Sequence, residues 1–121
     1  MARFRALLIG NWEYEDPDGE FGPLRGPPND LTAMRAALTD AELGLFAPED
    51  VTTATNLSWG EIGTVVLRFI TAAEPDDALL VYYSGHGARL ADGDLGLCGV
   101  NTTASEVEAE APEAIGLLDT Y

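Results

Sequence analysis

The single histidine of this chain, His86, sits in Ser84-Gly85-His86-Gly87, just past the most apolar run of the sequence, Ala78-Leu79-Leu80-Val81-Tyr82-Tyr83. A histidine side chain titrates near neutral pH and can take or give a proton, so it suits general acid–base work. Glycines on both sides permit unusual backbone angles and the close approach of another chain. The Gly87 amide has no side chain to shield it and could donate to an oxyanion. On spacing alone, a loop histidine at a tight turn explains the same residues equally well. The other reactive group is the lone cysteine, Cys98, in Leu95-Gly96-Leu97-Cys98-Gly99-Val100. Its small apolar neighbours suit a packed strand, where a free cysteine behaves as a small buried hydrophobe. The sharper alternative makes it a nucleophile 12 residues from His86. No basic residue stands beside it in sequence to lower its pKa.

The elements that would position these groups alternate along the chain. Phe4 to Ile9 is a short apolar run that fits a buried strand. Asn29 or Asp30 is placed to cap a helix whose apolar face is Leu31, Met34, Leu38 and, at its margin, Ala37. Val51 to Ala54 reads as a second strand. Ser58 with Glu61 three residues on is a capping box, and Ile62, Val65, Val66, Phe69 and Ile70 follow at helical spacing. Ala78 to Tyr83 shows no alternation, which predicts a strand covered on both faces. Arg89-Leu90 and Leu95 to Cys98 flank Asp92-Gly93, a hairpin signal. Strand–helix alternation of this kind predicts an α/β fold with a mainly parallel sheet and right-handed crossovers. In such sheets ligands bind beyond the carboxyl ends of the strands, which is where His86 falls. Residues 13–20 carry five acids and no base, and read as a solvated loop or, more sharply, an acidic binding loop. From Asn101 the chain turns polar and acidic, and Ala114 to Leu118 reads as the start of a third helix.

With 121 residues, 46% of them hydrophobic, the chain has the size of one domain with a real core. It carries 21 acids against 6 bases, all arginine, for a net charge of −15. That excess disfavours nucleic-acid backbones and anionic membranes as partners. One cysteine rules out an internal disulfide, and one histidine with one cysteine rules out zinc sites built on those residues. No metal or cofactor is expected. No apolar stretch approaches the roughly 20 residues of a membrane span. After Met-Ala-Arg-Phe-Arg only Ala6 to Ile9 is apolar before Asn11 and Glu13 intervene, too short for a signal peptide. The expected location is the cytoplasm.

Tyr82-Tyr83-Ser84-Gly85-His86-Gly87 resembles the catalytic-histidine motif of the caspase and metacaspase family of cysteine peptidases. Leu24-Arg25-Gly26-Pro27-Pro28-Asn29-Asp30-Leu31-Thr32-Ala33-Met34 looks like the segment leading into that family's first helix. Arg5 to Gly10 looks like its opening strand, and Asp94 to Gly99 resembles the hairpin strand after the histidine. The likeness spans roughly residues 3 to 102; residues 1–102 would be a partial caspase-like domain, with 103–121 as an acidic tail and the start of a truncated helix. It implies a caspase-like three-layer α/β fold. It also implies that His86 is the histidine of a cysteine–histidine dyad and that Gly87 gives an oxyanion-hole amide. A thiolate would attack a peptide carbonyl to give an acyl-enzyme that water hydrolyses. By the same resemblance Arg25 lies near the arginine of an acidic-residue pocket, whereas Asp30 is either a pocket acid for basic side chains or the helix cap. The family carries its nucleophilic cysteine about 50 residues after the histidine, which falls past Tyr121. The expected protein is therefore the histidine-bearing part of a peptidase, truncated before the cysteine strand and inactive alone. Its partners would be a peptide or protein substrate, and a second copy or a complementing chain that carries the cysteine. The alternatives are a non-catalytic caspase-like binding or scaffold module, and a flavodoxin-like domain whose Ser-Gly-His-Gly loop holds an anion. No Walker or dinucleotide fingerprint supports the last of these.

Overall fold

The computed structural model describes residues 3–89 and 93–108. In chain order they form β1 (Phe4–Gly10), α1 (Gly26–Leu38), a short 3-10 turn (Pro48–Asp50), β2 (Val51–Thr55) and α2 (Trp59–Thr71). Then come β3 (Ala78–Ser84), β4 (Gly87–Arg89), β5 (Leu95–Leu97) and α3 (Ala104–Glu108). A parallel sheet runs in the order β2-β1-β3, and β4 with β5 makes a separate antiparallel hairpin. This is the mixed α/β architecture with a mainly parallel sheet that the alternation predicts.

The core follows from the apolar run of β1. As the middle strand it is covered on both faces, and Ala6, Leu7, Leu8 and Ile9 are essentially without solvent contact. Successive side chains alternate between faces. Leu7 and Ile9 pack with Ile62, Val66 and Phe69 of α2, while Ala6 and Leu8 pack with Leu31, Met34 and Leu38 of α1. Ala37, marginal in the sequence pattern, stays exposed. The capping box of α2 forms as expected: Ser58 Oγ accepts the Glu61 N–H at 3.2 Å, and Glu61 Oε1 accepts the Ser58 N–H at 3.1 Å. The arginines knit the layers. Arg3 pairs with Asp50 at 3.6 Å and Asp77 at 3.5 Å, Arg5 lies 4.8 Å over the Phe69 ring, and Arg35 Nη2 donates to Val51 O at 2.9 Å and Thr53 Oγ1 at 2.8 Å.

Three expectations need correction. Neither Asn29 nor Asp30 caps α1. The helix opens at Gly26 with prolines in its first turn, where a missing N–H costs nothing and the fixed φ already suits a helix, so both residues lie inside it. The strand from Ala78 is also not covered on both faces. β3 is an edge strand among the described residues, and Leu79 and Val81 remain 38% and 36% exposed while Leu80, Tyr82 and Tyr83 pack inward. Finally, the polar segment after Asn101 begins with α3, whose Ala104 is buried and whose Val107 packs beside Tyr14, Ala88 and Cys98. The helix expected at Ala114 to Leu118 lies outside the described residues. No described helix is long and apolar enough to cross a membrane.

Candidate functional site

His86 leaves the end of β3 and leads directly into β4. Its ring is wedged between two aromatic edges, with centroids 4.5 Å from Tyr14 and 5.4 Å from Phe21. Nε2 lies 2.8 Å from the carbonyl oxygen of Gly22. A carbonyl can only accept, so Nε2 carries the proton and the neutral ring keeps its lone pair on Nδ1. The tautomer is thus set by one backbone oxygen.

That oxygen follows the acidic loop, which is largely exposed, as a solvated loop should be, and is held in shape by two of its own carboxylates. Asp16 Oδ1 accepts the Asp18 N–H at 2.9 Å, and its Oδ2 accepts those of Phe21 at 3.1 Å, Glu20 at 3.2 Å and Ala104 at 3.3 Å. Desolvation opposes the charge on Asp16, but these N–H donors outweigh it and hold the carboxyl below its usual range. Asp18 Oδ2 accepts the Ser105 N–H at 2.9 Å and its hydroxyl at 2.6 Å. The acids fold the loop over α3 and so fix where Phe21 and Gly22 meet the imidazole.

Gly87 is paired with Leu97 in the hairpin register. The neighbouring rung carries the hydrogen bond from Cys98 N–H to His86 O, at 3.0 Å. Rungs of an antiparallel ladder alternate between bonded and unbonded pairs. The Gly87 N–H therefore points away from β5, as an oxyanion donor must. Beside it opens a cleft of about 260 Å³ lined by Glu20, Phe21, Arg89, Ala104 and Val107.

Cys98 has no solvent exposure. Burial pushes its thiol up to about 11. Its carbonyl gathers Asn11 Nδ2 at 3.2 Å, Tyr14 Oη at 3.0 Å and Tyr83 Oη at 2.8 Å. A buried thiol that stays protonated fits the packed-strand reading.

A family model for the caspase domain matches residues 3–118, nearly the whole chain. The chain belongs to the caspase-domain family of cysteine peptidases. No curated protein matches it. In this caspase domain His86 and Gly87 are brought together at the carboxyl end of β3. Asp30 reaches the same end of the sheet from α1, where its Oδ2 accepts the Ser84 hydroxyl at 2.7 Å. Arg25 stands at the N-cap of α1, exposed.

Sequence reasoning missed the residues that hold the site. Asn11, fully buried, donates through Nδ2 to Leu57 O at 3.1 Å and accepts the Leu57 N–H at 2.8 Å. Tyr14 and Gly22 lie in a loop that shows no periodicity. The available signals were an asparagine directly after a buried strand and an aromatic residue inside an acidic run. Neither names its partner.

Proposed function

We propose that this caspase domain is the histidine-bearing part of a cysteine endopeptidase, with His86 as general base and Gly87 N–H as oxyanion donor. The observation that carries the reading is the Nε2–H to Gly22 O bond, which leaves Nδ1 to work beside the outward Gly87 amide. The nucleophile comes from outside these residues, because the one cysteine present is buried and protonated. In the reaction Nδ1 takes the proton of the incoming thiol. The thiolate adds to the peptide carbonyl, and the oxyanion meets the Gly87 N–H. His86 then gives that proton to the leaving amine, next takes one from the water that attacks the acyl-enzyme, and returns it to the thiolate expelled as the C–S bond breaks.

Asp30 faces a basic P1 side chain in this reading, in keeping with the net charge of −15, and the exposed Arg25 is the competing determinant for an acidic one. The complementing cysteine strand, carried by another chain, adds at the side of β3 that no described strand pairs, and a second copy of this chain would compete for the same edge. The reaction belongs to the cytoplasm. The buried state of Cys98 also favours a second reading, a non-catalytic caspase-like module that binds peptides.

The deciding experiment joins this chain to a polypeptide that supplies the family's cysteine strand. Cleavage of peptides with Arg, Lys or Asp at P1 is then measured. The expected result is turnover with the strand, none without it, and none after His86→Ala. Turnover that survives His86→Ala refutes the base role, and peptide binding with no turnover under any pairing favours the binding module.

A further inference from the structure

His86 and Cys98 face each other one step beyond the hairpin pairs Ala88↔Gly96 and Gly87↔Leu97. A regular antiparallel rung here would carry two bonds, Cys98 N–H to His86 O and His86 N–H to Cys98 O. The first is made, at 3.0 Å. In place of the second a side chain is inserted. Tyr14 Oη accepts the His86 N–H at 2.9 Å and donates to Cys98 O at 3.0 Å. Tyr83 Oη lies 2.8 Å from both carbonyls of the rung and 3.0 Å from Tyr14 Oη. Tyr83 thus shares its one hydroxyl proton between the two carbonyls of the rung. Both main-chain groups of His86 are therefore held by tyrosine hydroxyls. Gly85 supplies an independent sign of the same device. A Cβ there would come within 2.5 Å of Tyr83 Oη and 2.7 Å of Tyr14 Oη, so this glycine leaves room for the hydroxyl pair.

We propose that Tyr14 and Tyr83 are positioning residues for the His86 chemistry: their hydroxyls wedge open the His86–Cys98 rung and so set where the imidazole meets Gly22 O and where the Gly87 N–H points. The inference rests on the reading of His86 as the general base. Burial suits the role, since it keeps both phenols protonated: it raises Tyr14 above its usual value, and it raises Tyr83 further, with Tyr14 beside it adding to the shift. A neutral hydroxyl can accept from an amide and donate to a carbonyl at once, which no phenylalanine and no phenolate can do.

The test uses the chain itself, labelled with nitrogen-15. His86 is the one histidine, so its ring gives a single assignable set of resonances. Tyr14→Phe and Tyr83→Phe keep the ring packing and remove only the oxygens. Each variant is expected to lose the resolved Nε2–H resonance that the bond to Gly22 sustains. In Tyr14→Phe the His86 amide is expected to exchange about ten-fold faster. The Leu7 and Leu8 amides of β1 are expected to keep their protection. A role confined to stability would speed exchange in β1 and leave the ring of the folded molecules unchanged. Ring resonances that match the wild type in both folded variants overturn the proposal. Should neither variant fold, the wild type decides: a protected His86 amide supports the clamp, and one that exchanges like an unbonded amide overturns it. Turnover after His86→Ala reads the base role separately. An unresponsive ring with turnover abolished refutes the clamp alone, and a responsive ring with turnover retained refutes the base role alone.

Discussion

Asn11→Asp exchanges one amide nitrogen for oxygen and should be among the most damaging single changes to this domain. The native side chain is fully buried, donates twice from Nδ2 to Leu57 O and Cys98 O, and accepts the Leu57 N–H on Oδ1. In the variant the accepted bond survives, and the two donations become contacts between a carboxylate and two carbonyl oxygens. Burial and those oxygens both disfavour the charge, so the folded-state pKa rises. A raised pKa makes the aspartate tolerable below its unfolded value near 4 and increasingly costly as pH climbs above it. Keeping it protonated costs about 1.4 kcal/mol per pH unit, a ceiling of roughly 4 kcal/mol at pH 7. Its acid proton can restore one donation. The other donation is lost at any pH, at about 1 kcal/mol, its carbonyl keeping its second donor, the Val100 N–H on Leu57 O or the tyrosine hydroxyls on Cys98 O. The expected penalty is thus about 5 kcal/mol at pH 7 and about 2.5 kcal/mol at pH 5. Asn11→Ala loses three bonds and should cost about 3 kcal/mol with no pH dependence. Urea unfolding of both variants from pH 5 to 8, each against wild type at the same pH, gives the numbers. An Asn11→Asp penalty equal at pH 5 and pH 7 would refute the argument.

Three further outcomes follow from the same contacts. Gly85→Ala should destabilise by about 1–3 kcal/mol through overpacking against the tyrosine hydroxyls, visible as a lower urea midpoint at unchanged slope. Asp16 sits below its ordinary value of 3.8, so its stabilising share is present above that pH and fades as pH falls through the folded value; Asp16→Asn should flatten this part of the acid unfolding curve. Tyr14, Tyr83 and Cys98 are all raised, so their share of stability is whole at neutral pH and falls as pH passes the unfolded phenol and thiol range; circular dichroism should show unfolding to begin above about pH 9 to 10, later in Tyr83→Phe if that phenol is the one resisting ionisation.

The legible features were those written locally. The α2 capping box spans Ser58 to Glu61, and β1 announces itself by the unbroken apolar run Ala6 to Ile9, because the middle of a central strand needs no polar face. His86 and Gly87 were legible for the same reason, as neighbours at a strand end. The misreadings came where one local signal met another. Asn29 and Asp30 looked like caps and lie inside α1, whose first turn holds Pro27 and Pro28, and Leu79 and Val81 looked like core and lie at a sheet margin. The supports of the imidazole were not legible at all. Tyr14 meets His86 across 72 residues and Asn11 meets Cys98 across 87, distances over which a single sequence carries no periodic trace.

The two margins of the sheet are not equivalent. Along β2 the Arg35 guanidinium lies on Val51 O and Thr53 Oγ1, so an acceptor that an incoming strand would need is already taken and a cation guards the approach. β3 has no such guard among its described contacts, and its outer side carries Leu79 and Val81. Growth of this sheet therefore has a direction. Two copies joined at β3 would turn their guarded β2 margins outward, and the symmetry would close at a pair instead of running on into a filament.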